Sequence, residues 1–135
     1  MKVEKNLPVI VHSRESIKDT YDLLTNYNVT GILHCYSGSL EMAKEFIKKG
    51  FLIGIGGVIT FKNATKLKEV VKGIPLDYIS LETDSPYLTP EPFRGKKNNP
   101  SKLSYIITEV AKLKDLKEDD VISKTASNVM AKFDL

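Results

Sequence analysis

Two histidines and two carboxylates stand where a parallel α/β protein places its chemistry. His12 and His34 are the only histidines in the 135-residue chain. Each ends an apolar run in the same way, Ile10-Val11-His12 and Ile32-Leu33-His34. If these runs are neighbouring parallel strands in register, the two imidazoles meet at one end of the sheet. Paired neutral imidazoles are suited to a divalent metal. The alternative is that each ring caps its strand by hydrogen bonding. The carboxylates lie in Glu82-Thr83-Asp84-Ser85-Pro86. Side chains alternate along a strand, so Ser80, Glu82 and Asp84 share one face, and Ile79, Leu81 and Thr83 the other. Two carboxylates facing a barrel interior are costly unless they meet cations or donors. Asp84 as a metal ligand, with Glu82 supporting it from below, accounts for the pair; a buried salt bridge to a lysine or arginine is the alternative. Asp84 is also a candidate to take a proton from an attacking water.

Weaker signals surround these. Gly54, Gly56 and Gly57 either allow close backbone approach near a site or mark a strand end. Ser37-Gly38-Ser39 precedes a helical pattern and reads as a capped turn, with a phosphate at the helix N-terminus as the other reading. Arg94-Gly95-Lys96-Lys97-Asn98 carries three cations on a loop at the end of the sheet where a phosphodiester backbone would be gripped; a solvated charge run is the alternative. Cys35 follows His34 directly, so alternation turns it away from the site as a core thiol.

The elements that must position these residues follow from periodicity. Short β-branched runs alternate with helical patterns, which predicts a parallel α/β sheet. Strands are expected at Leu7–His12, Gly31–Cys35, Phe51–Ile55 and Tyr78–Thr83. Helices are expected from Arg14 to Tyr27, after Ser39, and from Asn63 to Lys72. A proline-rich polar loop spans Ser85 to Pro100, and two helices finish the chain. Near-continuous apolar strands predict that both faces of the sheet are covered. His12, His34 and Asp84 all fall at C-terminal strand ends, where α/β barrels and open parallel sheets place their chemistry.

Composition excludes several classes. Apolar residues make up 41% and charged residues 27%, the balance of a globular domain rather than a disordered one. A net charge of +3 is too small to predict nucleic-acid binding by itself. One cysteine excludes an intramolecular disulfide and suits a reducing cytoplasm. The apolar runs are too short for a membrane span, and residues 1–8 lack a signal-peptide core. The expected compartment is cytoplasmic.

Taken in order, Pro8-Val9-Ile10-Val11-His12-Ser13-Arg14, His34-Cys35-Tyr36-Ser37-Gly38, Gly56 to Asn63, Glu82-Thr83-Asp84-Ser85-Pro86-Tyr87-Leu88 and Arg94-Gly95-Lys96-Lys97-Asn98 resemble the motifs of TatD-family metal-dependent DNases, which are similar to amidohydrolase-type barrels. The resemblance runs from Leu7 onward. It implies hydrolysis of DNA phosphodiesters, often as a 3′–5′ exonuclease, with two divalent ions such as Mg2+, Mn2+ or Zn2+. It implies that His12 and His34 ligate one metal, that Asp84 serves the other metal and the attacking water, and that Arg14, Ser37 and Arg94 lie on the phosphate path. Asn99 stands where the family often has glutamate.

The resemblance also implies a fold, a partial (β/α)8 TIM barrel. Residues 1–135 match the C-terminal half, four parallel β/α units, whereas a whole barrel takes about 250 residues. The family's H-x-H pair and metal-bridging glutamate have no counterpart here. The chain is expected to be inactive or weakly active alone, and to pair with the N-terminal half-barrel or with a second copy of itself. Two other functions stay open. One is a barrel hydrolase acting on a non-nucleic-acid ester or amide. The other is a non-catalytic binding or assembly module.

Overall fold

The computed structural model describes residues 7–12, 17–24, 29–82 and 103–133. The elements in chain order are β1 (Leu7–His12), α1 (Ile17–Leu24), β2 (Val29–His34), α2 (Leu40–Lys48), β3 (Phe51–Ile55), α3 (Thr65–Gly73), β4 (Ile79–Leu81), α4 (Leu103–Lys114) and α5 (Glu118–Phe133). Short 3-10 turns at Gly57–Thr60 and Leu76–Tyr78 lead into α3 and β4. The four strands form one parallel sheet in the order β1-β2-β3-β4.

Two features punctuate the expected elements. Ser39 adopts extended backbone and its hydroxyl accepts from the Met42 amide at 3.2 Å, so the Ser37–Ser39 stretch is a capped helix start. Gly50, after the Lys48-Lys49 end of α2, sits at φ +90°, a conformation that glycine adopts without strain. Several boundaries differ from expectation. β2 runs from Val29 to His34 rather than from Gly31 to Cys35, α3 from Thr65 to Gly73 rather than from Asn63 to Lys72, and β4 begins at Ile79 because Tyr78 belongs to the preceding 3-10 turn; its expected end at Thr83 lies outside the described residues.

Alternation splits the sheet into two chemically different faces. Leu33, Phe51, Ile53, Ile55 and Ile79 point to one side and join a buried core with Phe46, Val70, Val71, Ile106, Val110 and Val121 from the helices. Phe46 anchors it, with the rings of Tyr21, Tyr36 and Phe51 packed edge-on around it, the favoured aromatic geometry. The opposite face carries Ile10, Ile32 and Leu52 in one row, then His34, Gly54 and Ser80, then Glu82. Ile32 and Leu52 are buried, while Ile10 on the edge strand is 67% exposed.

Candidate metal centre

β1 and β2 pair in register through His12 and His34. The backbones of the two histidines are thus side by side at the C-terminal edge of the sheet, as their matched strand endings implied. The His12 side chain, and all of Arg14, Asp84 and Arg94, lie outside the described residues. His34, Ser37 and Glu82 are described. Ser37 is exposed on the turn after β2.

Glu82 follows β4 and extends its ladder, its amide donating to the Ile55 carbonyl at 3.0 Å. From there its side chain crosses β3 to reach β2. Glu82 Oε2 lies 2.6 Å from His34 Nδ1, and Oε1 accepts the Cys35 amide. Both side chains are largely shielded, His34 at 24% and Glu82 at 17% exposure, which strengthens a charge-assisted hydrogen bond. A carboxylate accepts only, so Nδ1 carries a proton, and in the neutral ring Nε2 then has the lone pair. That is how a metal-binding histidine is usually oriented by its neighbour.

Cys35 departs from expectation. Simple alternation turned it away from the site, but its backbone takes the left-handed conformation at φ 49° and breaks the alternation. A donor atom each from His34, Cys35 and Glu82 lies within 4.8 Å of the others. The thiol is half-buried and sits beside Gly56, 3.6 Å from where a Cβ would stand. The same turn lets the Tyr36 amide donate to the Gly54 carbonyl at 2.9 Å. The Tyr36 hydroxyl donates to the Ser39 carbonyl at 2.6 Å. Burial, with Glu41 adding to it, pushes the Tyr36 phenol well above its ordinary pKa, so it stays a neutral donor.

Ser80 stands two residues below Glu82 on the same face. It is buried, and its hydroxyl has no hydrogen-bond partner among the described residues; a buried hydroxyl left so costs about 1–3 kcal/mol. Sequence reasoning placed Ser80 and Glu82 on one face but did not identify the Cys35 turn. No pattern of residue types announces a left-handed cysteine.

The sequence profile of the TatD-related DNases matches residues 3–134. An uncharacterized metal-dependent hydrolase, YabD, of Bacillus subtilis strain 168 is 45% identical over 133 residues, covering 96% of this chain and 52% of that protein. A second, YcfH of Escherichia coli K12, is 38% identical over 133 residues, covering 96% of this chain and 50% of that protein. The crystal structure of the TatD homolog YJJV from Escherichia coli K12 superposes with a TM-score of 0.88 at 30% identity, covering 96% of this chain and 51% of that one. The chain therefore spans about half the length of the curated relatives it matches. A match along nearly the whole chain, over a parallel sheet that aligns two histidines at its C-terminal edge, places this protein in the family of TatD-related DNases.

Proposed function

We propose that this chain is the C-terminal half of a (β/α)8 barrel that hydrolyses DNA phosphodiesters with divalent metals, 3′–5′ exonuclease-like, once the other half of the barrel is present. The observation that carries the reading is the Glu82–His34 pair at the C-terminal edge of the sheet, 2.6 Å apart and shielded from water.

The donor chemistry fits a metal. Glu82 on Nδ1 would leave Nε2 as the ligating nitrogen of His34, and the register sets the backbone of His12 beside that of His34. In this reading His12 and His34 hold one ion and Asp84 the other, with Mg2+, Mn2+ or Zn2+ as the candidates. When bound, the ions supply Lewis acidity to the scissile phosphate. The chain's own residues do the rest. Glu82 fixes the His34 ring, Asp84 takes the proton of the attacking water, and Arg14, Ser37 and Arg94 hold the DNA backbone. The three cations between Arg94 and Lys97 favour a phosphate-bearing substrate.

The partner is a first half-barrel, or a second copy of the chain where none is supplied. Ile10, exposed on edge strand β1 beside buried Ile32 and Leu52, supports this, since an open apolar edge invites pairing. Among the described residues no helix is long and apolar enough to cross a membrane, and the single cysteine suits the cytoplasm as the working compartment.

The test is a nuclease assay with each metal. The 135-residue chain alone should show little or no chelator-sensitive DNase activity, and the first half of a relative, supplied in cis or in trans, should restore it. Robust hydrolysis by the chain alone would remove the half-site reading. A folded, reconstituted barrel that binds metal but leaves DNA intact would remove DNA as the substrate.

A further inference from the structure

Glu82 directly follows β4 and His34 ends β2, yet they touch. Neighbouring strands lie about 4.8 Å apart, so the two strands are separated by about twice that. The carboxylate can make the crossing only by passing over β3, and it passes directly over Gly54. A Cβ built on Gly54 falls on Glu82 Oε1, 2.9 Å from its Cδ, and 2.7 Å from the Leu33 carbonyl oxygen. Real Cβ atoms do not tolerate such separations. The backbone of Gly54 is not in the left-handed region, so backbone freedom is not the reason for a glycine here. The reason is space. Gly54 is also in register with Ser80 on β4, which puts it in the row below Glu82 at the level of His34.

We infer that Gly54 is a positioning residue: its missing side chain is the slot through which Glu82 crosses β3 to hold the His34 ring and the Cys35 amide. Any side chain at position 54 displaces the carboxylate, and His34 then loses its tautomer lock although neither interacting residue has been changed. The effect on the ring stands without a metal. The effect on metal affinity rests on the function proposed above.

The experiment uses nitrogen-15 labelled chain and long-range proton–nitrogen NMR, at about pH 8, above the usual imidazole pKa of about 6.5. With two histidines in the sequence, the His34 signals are readily assigned. In the unsubstituted chain His34 should carry its proton on Nδ1. In Gly54→Ala the proton should move largely to Nε2, the form imidazole prefers in water, and Glu82→Gln should weaken the same preference. A folded Gly54→Ala chain whose His34 remains wholly protonated on Nδ1 would overturn the inference. Should Gly54→Ala not fold, the Gly54→Ala/Glu82→Ala double variant decides. Regained folding shows that the carboxylate was the obstruction; continued failure assigns the glycine to the Leu33 contact and overturns the inference. A metal titration of the reconstituted barrel separates the two claims. Loss of the tautomer with a 10–100-fold loss of affinity supports both, whereas loss of the tautomer with unchanged affinity keeps the role of Gly54 and removes His34 as a ligand.

Discussion

The sheet is bridged by polar side chains at both ends, and the two bridges differ in what they leave behind. At the N-terminal end, α5 packs against β4 and the 3-10 turn before it. Asn128 donates to the carbonyls of Leu76 and Ile79, both at 2.9 Å. One turn later Lys132 donates to Gly50 and, at 2.9 Å, to Thr30, which itself donates to Gly50. Lys114 at the end of α4 caps the Ile74 carbonyl in the same region. These bonds tie helix to strand and consume backbone acceptors that would otherwise be stranded. Burial pulls the pKa of both lysines down, which is a cost accepted for the cross-links. At the C-terminal end, Glu82 bridges strand to strand, and its bond to Nδ1 leaves Nε2 of His34 with the lone pair. One end of the sheet closes off its polar groups, and the other fixes a proton on one ring nitrogen of a histidine. In (β/α)8 barrels stability lies at the N-terminal face and catalysis at the C-terminal face.

The sharpest way to break this contrast is at Asp84. In the reconstituted barrel, Asp84→Asn should lower turnover by about 10²–10⁴-fold with the melting temperature little changed, as read by nuclease assay and calorimetry. Unaltered turnover would remove the role given to Asp84. Next in size is the core that both ends share. Phe46→Ala should cost about 3–5 kcal/mol in denaturant unfolding, because Phe46 is fully buried among three rings. At the N-terminal end, Lys132→Met should cost about 1–3 kcal/mol of stability while metal affinity stays the same; an effect on metal binding without one on stability would invert the comparison. The smallest effect is expected on the surface. Lys48→Ala removes an exposed pair with Glu45 and should change stability by under about 0.5 kcal/mol.

Much of this layout was legible in the sequence. Short, near-continuous apolar runs marked all four strands, and the matched endings at His12 and His34 implied the register that the sheet shows. The alternation argument set Ser80 with Glu82, but it could not say that Glu82 would reach over a strand to β2. That depends on what β3 lacks at Gly54, a three-strand relation invisible in any local pattern. Alternation failed outright at Cys35, because it assumes an extended backbone and the chain turns left-handed one residue after the strand ends. The short β4 was also overestimated, since Tyr78 satisfies a 3-10 turn with Pro75 before the ladder begins.

The proposed metal centre depends on Glu82 orienting His34. Calorimetric titration of Mn2+ into the reconstituted barrel, with and without Glu82→Gln, tests it directly. The substitution should weaken binding by about 10–100-fold while the melting temperature moves little. Equal affinity for the two proteins would contradict it, and would make the Glu82–His34 bond a strand-to-strand tie like those at the opposite end of the sheet.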